Sequence, residues 1–208
     1  MSNYHSQLGQ DSFVDEFFKA KRNGVFIDIG AHDGVSCSNT LFLEKERNWT
    51  GVCIEPGLEE FKLLKENRSV VCLDCAISNK NGEDEFIYIE GYANMLSGLK
   101  SGHNAQHTER INREVAQYGG KINSIKVNTR TLQSILEENN ISEVDYCSID
   151  TEGSEFDIIK SIDFSKVNIK LFSIENNYGS TDIQRYLEQN GYCLYTKLQW
   201  DDIFVKIK

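Results

Sequence analysis

The sequence predicts an α/β fold with a mostly parallel sheet and helices on both faces, and three observations carry that prediction. Short apolar runs recur at residues 25–29, 51–54 and 144–149, each ending at a glycine or a carboxylate. They are too short for helices and too uniformly apolar for half-exposed strands, so they read as strands buried on both faces. Amphipathic helical patterns lie between them, the strand–helix alternation that builds parallel sheets.

The first strand is Val25-Phe26-Ile27-Asp28-Ile29, and the turn after it is the most informative stretch. Gly30 and Gly34 carry no Cβ, so the backbone there can turn sharply and approach a ligand closely. In open α/β sheets ligands bind beyond the carboxyl ends of strands, at such loops. A dinucleotide site would show G-x-G-x-x-G; here Gly30-Ala31-His32-Asp33-Gly34 lacks the second and third glycines. Asp28 instead stands inside the strand, and Glu55 closes the next apolar run roughly 20 residues past the turn, the spacing at which a carboxylate takes ribose hydroxyls. That pattern suits S-adenosylmethionine (SAM), which has no pyrophosphate to place but has an ammonium group and a ribose diol, both matched by carboxylates. An NAD(P)-dependent Rossmann oxidoreductase and a catalytically silent SAM-binding module are the competing readings.

The 208 residues suffice for one domain with a full core, spanning 1–208, with residues 1–23 as a helical cap. A net charge of -10 argues against a nucleic-acid partner, because phosphate affinity needs clustered Lys and Arg. No stretch is long and apolar enough to span a bilayer and the start is no signal peptide, so the expectation is a cytoplasmic protein without a membrane partner. The six cysteines read as reduced thiols, Cys72 and Cys75 included, since their C-x-x-C spacing has no second pair or histidine beside it. Homo-oligomers stay open.

Taken in order, Asp11 or Ser12 caps a first helix carrying Phe13, Val14, Phe17 and Phe18. Gln10 precedes it and is carried as a cofactor candidate. A helix over 38–46 follows the glycine loop. Pro56, the single proline, fixes φ and favours an extended Glu55 before it. A helix with Leu58, Phe61 and Leu64 leads to a strand at 69–73, and the small polar loop Asp74-Cys75-Ala76 then suits an adenine. Residues 85–90 and 121–128 read as strands. The polar, glycine-rich stretch 91–120 between them is long enough to be a substrate lid or insertion. Its His103 and His107 have zinc-helix spacing, but Asn104 stands where the H-E-x-x-H glutamate would be, so no metal is predicted there. Thr131 caps a helix with Leu132, Ile135 and Leu136. Asp150, Glu152 and Glu155 follow the strand at 144–149; Glu155 suits a helix start, and its spacing puts Glu152 on the same face. A strand at 170–174 ends in Glu175, a helix over 181–190 closes on Gly191, and two strands at 192–198 and 202–206 finish the chain.

The motifs F-I-D-I-G-A-H-D-G (26–34), I-E-P (54–56), D-C-A-I-S (74–78), S-I-D-T-E-G-S-E (148–155) and I-E-N-N-Y (174–178) together resemble the FkbM family of SAM-dependent methyltransferases. S-Q-L-G-Q-D (6–11) is similar to the N-terminal motif of one branch. The resemblance runs in order over essentially the whole chain. It implies a class I methyltransferase (Rossmann-like) fold, with a mostly parallel seven-stranded sheet whose final strand is antiparallel, and O-methylation of a hydroxyl on a sugar, glycan or polyketide-like small molecule. It further implies that Asp28, Gly30 and Gly34 meet the methionine end of SAM, that Glu55 holds the ribose, and that Asp74, Cys75 and Ala76 flank the adenine. His32, Ser36 and Pro56 join these as cofactor candidates, and S-adenosylhomocysteine is the product. Asp150, Glu152 and Glu175 line the acceptor side, with Asp150 the first candidate for base and His103 the second. A divalent metal on Asp150 and Glu152 is the alternative way to acidify the hydroxyl.

Overall fold

The computed structural model describes residues 3–207. The chain runs α1 (Gln10–Phe17), β1 (Val25–Ile29), α2 (Leu41–Arg47), β2 (Thr50–Ile54), α3 (Leu58–Asn67), β3 (Val71–Leu73), β4 (Ala76–Ile77), β5 (Gly82–Glu90) and β6 (Gly98–Leu99). It continues through α4 (Ala105–Tyr118), β7 (Lys121–Arg130), α5 (Leu132–Glu138), β8 (Glu143–Ile149), α6 (Glu155–Lys160), β9 (Asn168–Glu175), α7 (Asp182–Gln189), β10 (Tyr192–Leu198) and β11 (Asp201–Lys206).

Seven strands form one sheet in the order β10-β11-β9-β8-β1-β2-β3. β11 runs antiparallel to both neighbours and the other pairings are parallel. This is the class I methyltransferase arrangement that the sequence led us to expect. Alternate side chains of β1 enter different cores: Ile27 and Ile29 join one cluster, Phe26 the other. A strand that must fill both faces cannot alternate with polar residues, hence its nearly unbroken apolar run.

Register aligns the strand ends. Ile29 lies opposite Ile54 and Ile149, Ile54 opposite Leu73, and Ile149 opposite Ile174. The residues that follow, Gly30, Glu55, Asp74, Asp150 and Glu175, therefore stand in one row along the carboxyl edge.

The strands at 85–90 and 121–128 are longer than the sequence predicts and belong to a second sheet, ordered β4-β7-β5-β6. β5 and β7 pair antiparallel from Gly82↔Thr129 to Glu90↔Lys121. Between them, residues 91–120 hold two single 3-10 turns (Asn94–Leu96 and Lys100–Gly102), β6 and α4. Asn104 caps α4 by accepting the His107 N–H at 2.8 Å. The helix buries His107 and Ile111, and Ile111 packs with Ile89, Ala93 and Leu96.

Two local expectations need correction. α1 is entered through Gly9 in the left-handed region, not through Asp11 or Ser12. The Asp11 carboxylate turns back instead, accepting the His5 N–H at 2.6 Å and the Ser6 hydroxyl at 2.6 Å. Glu152 does not share a helix face with Glu155, because α6 begins only at Glu155 and Glu152 sits before it at φ 58°. Glu155 Oε1 accepts the Thr151 and Gly153 N–H groups and the Thr151 hydroxyl, closing the loop that presents Glu152. By contrast, Thr131 caps α5 as expected, accepting the Ser134 N–H at 3.1 Å. Gly191 follows α7 at φ 84°.

Candidate active site

A cavity of about 720 Å³ opens over the carboxyl edge of the large sheet, within the size range of small-molecule sites. Its floor is built from the strand ends, and its opposite wall from residues 92–97, Leu99, Arg110 and Glu114 of the segment between β5 and β7.

The first turn is shaped by close backbone approach. A Cβ on Gly30, at φ 86°, would lie 1.7 Å from the Asp150 carbonyl oxygen, so only glycine lets β1 and β8 converge there. Asp28 is buried and accepts the Thr40 hydroxyl at 2.5 Å. Burial raises its pKa, and Arg68, 3.9 Å away, offsets part of that rise. Arg68 comes from just beyond α3, its side chain wholly buried, and donates to Glu44 Oε2 at 2.5 Å and to the Thr40 hydroxyl at 2.9 Å. The glycine loop thus rests on an internal ion-pair network.

Glu55 is held by the turn it faces. Its oxygens accept the Gly57 N–H at 2.7 Å and the His32 N–H at 2.9 Å. Burial pushes its carboxyl up to about 7 against the pull of those two amides.

At the carboxyl ends of β8 and β9 stands a carboxylate cluster. Asp150, Glu152 and Glu175 each bring an oxygen within 4.8 Å of the others. Asp150 is an exposed residue that opens onto the cavity, although the surrounding fold desolvates its carboxyl. Burial, then the nearby carboxylates Asp201 and Glu155, raise its pKa. Burial and Asp150 raise those of Glu152 and Glu175. Like charges so close are relieved by shared protons or by a cation. Arg110 approaches Glu152 at 3.7 Å while pairing with Glu114 at 3.1 Å. His107 Nδ1 stands 3.4 Å from Glu152, but burial lowers its pKa, so it meets Glu152 as a neutral ring.

Most of the candidate residues converge here. Gln10, Asp28, Gly30, His32, Ser36, Glu55, Pro56, Cys75, Ala76, Asp150, Glu152 and Glu175 all line the cavity. Gly34, Asp74 and His103 do not. Gly34 makes room for α3, since a Cβ there would lie 2.7 Å from both Leu64 and Arg68. Asp74 is exposed behind the loop that turns Cys75 inward. His103 packs against His107, ring centroids 4.4 Å apart, and burial drops its pKa to about 4. Gln10 donates to Asp201 at 2.8 Å, tying the N-terminal helix to the end of β11. Residue-level reading missed Glu60, Asn94 and Arg110, which helices or turns with no motif of their own carry into the cavity.

A family model for the methyltransferase FkbM domain matches residues 28–194. The chain belongs to the FkbM methyltransferase family. No significant match to a curated protein was found. Among solved structures, a METTL16 MTase domain superposes with a TM-score of 0.50 at 12% identity, over 97% of this chain and 67% of that one. A delta-N METTL16 MTase domain gives 0.46 at 15% identity, over 95% and 79% respectively. The first likeness shows the fold of this FkbM domain.

Family and fold imply SAM as the methyl donor, and the residues present fit it. The cavity has the required size, its glycine turn admits close backbone approach, and Glu55 stands at the end of the second strand with its oxygens preset by two amides. No helix among the described residues is long and apolar enough to cross a membrane.

Proposed function

We propose that this FkbM domain methylates a hydroxyl of an uncharged, polyhydroxylated small molecule, such as a sugar, a glycan or a polyketide-like compound. One observation carries the reading: Asp150, whose backbone carbonyl packs against Gly30 of the glycine turn, clusters its carboxylate with those of Glu152 and Glu175 in the cavity. When bound, SAM supplies a methyl group already activated by its sulfonium charge. The chain's task is then to orient the acceptor oxygen and take its proton.

Asp150 is suited to the second part, because desolvation, and after it the charges of Asp201 and Glu155, raise its proton affinity towards the working pH. Glu175 and Glu152 accept hydrogen bonds from the remaining hydroxyls, while burial and the charges of Asp201 and Glu155 keep Asp150 from ionising too readily. Asn177 fixes Glu175, donating to it at 2.6 Å. His103, neutral and turned from the cavity, is left out of the proton path.

Charge supports the acceptor class. The walls carry Asp28, Glu55, Glu60, Glu114, Asp150, Glu152 and Glu175 against Arg110, the one Lys or Arg that lines the cavity among the described residues. A phosphorylated acceptor or nucleic-acid strand would meet repulsion throughout, whereas hydroxyl groups find acceptors.

The test pairs calorimetric titration of S-adenosylhomocysteine with transfer of a radiolabelled methyl group to a panel of glycans and hydroxylated small molecules. Micromolar cofactor binding and label on an uncharged polyol are expected. Transfer only to phosphorylated or nucleic-acid acceptors would overturn the acceptor assignment.

A further inference from the structure

The geometry points to Glu60 as a second carboxylate of the ribose site, taking one hydroxyl of the diol while Glu55 takes the other. The inference rests on the SAM reading above and assigns a recognition residue that no cofactor motif of the sequence contains.

Glu60 lies in the first turn of α3, is 9% exposed, and lines the cavity. Its two oxygens are not equivalent. Oε1 accepts the Asn94 side-chain amide at 3.2 Å and the Tyr88 hydroxyl at 3.5 Å. Oε2 is buried and has no hydrogen-bond partner. A buried carboxylate oxygen without a donor is rare and costly in a folded protein, and a ligand hydroxyl would relieve it.

The orphan oxygen also points to the right place. A Cβ built on Gly57 would lie 2.7 Å from Glu60 Oε2 and 2.9 Å from Glu55 Oε1, so the two carboxylates flank one small space that Gly57 keeps open. Both Glu55 oxygens are already committed to backbone amides. A vicinal diol brings two donors side by side, and splitting them between two carboxylates gives each hydroxyl its own acceptor. Asn94 connects this pair to the opposite wall, its Nδ2 lying 3.0 Å from His32 Nε2 as well as 3.2 Å from Glu60. Glu60 therefore faces the ligand with one oxygen and braces the cavity wall with the other.

Calorimetric titration with S-adenosylhomocysteine and its 2′-deoxy and 3′-deoxy forms tests this on the wild-type chain, Glu60→Gln and Glu60→Ala. The wild type should bind the parent compound and lose about tenfold or more in affinity with one of the deoxy forms. Glu60→Ala should bind the parent compound about tenfold more weakly and no longer distinguish it from that deoxy form. Glu60→Gln, which keeps the shape and one acceptor oxygen, should fall between. Wild-type affinity in Glu60→Ala, or an equal loss for all three ligands, would overturn the assignment and leave the SAM reading standing. Absence of binding to the wild type would overturn both.

Discussion

In the proposed reaction Asp150 and Glu55 do different work with carboxyl groups perturbed in the same direction. Glu55 is preset by the Gly57 and His32 amides to receive hydroxyl donors, while Asp150 stands among other acids beside the glycine turn. Replacing Asp150 by Asn keeps size and polarity but removes the base. Cofactor affinity should stay within about threefold while transfer falls about 100-fold or more, a split that calorimetry and single-turnover rates on one preparation resolve. Transfer is expected to persist in EDTA; loss restored by Mg²⁺ would make the three carboxylates ligands instead. Hydroxyl donors favour ionised Glu55, whose carboxyl lies at about 7. S-adenosylhomocysteine should therefore bind more tightly as pH rises from about 6 to 8, and Glu55→Gln should flatten that profile.

At the scale of elements, α2 and α3 are clamped by one buried cation. Arg68 reaches Glu44, Thr40 and Ser38, and removing it leaves Asp28 buried without its counter-charge and Glu44 with the half-exposed Lys45 alone. Arg68→Met should cost about 3–5 kcal/mol in urea unfolding, far more than the roughly 1 kcal/mol expected when Thr131→Ala strips the cap from α5. Such a clamp is not legible in sequence, where Arg68 is one polar residue at the end of a helix. The strand ends were legible for a definite reason. A strand buried on both faces must stay apolar until it leaves the sheet, so Glu55, Asp150 and Glu175 stand out where the apolar run stops. Glu152 was legible as a residue but not in its setting, since its left-handed backbone takes it off the helix that spacing suggested. Alternation at 85–90 and 121–128 likewise announced strands without saying which sheet they join, because period two reports a face and not a partner.

For the whole molecule, the acids set an uncommon pH response. Burial raises the pKa values of Asp28, Glu55, Asp150, Glu152 and Glu175, Glu55 to about 7 and Glu152 to about 8. Each binds its proton more tightly folded than unfolded. The stability this brings is complete below the ordinary carboxylate range and is lost as pH rises through the folded values. Glu44 and Asp145 act the other way: burial alone would raise them, but Arg68 for the first and Lys170 and Lys21 for the second outweigh it. Their contribution is lost only as pH falls below the ordinary carboxylate range, through their lowered folded values. The melting temperature should therefore climb by several degrees from pH 8 to about 5.5 and drop again below about 4, with bound cofactor flattening the upper limb.

The two ends of the second sheet lie side by side. β4 pairs with β7 through Ala76↔Thr129 and Ile77↔Arg130, and the Ser78 N–H meets the Arg130 carbonyl at 2.9 Å. Everything from residue 79 to 130 thus leaves and re-enters the large sheet at one doorway, and it carries Tyr92, Asn94, Met95 and Arg110 with it. Such a stretch is a cassette. On the proposed reading, exchanging it between relatives would present a new wall to an unchanged strand edge, giving natural variation a route to new substrates that leaves the strand-end carboxylates in place.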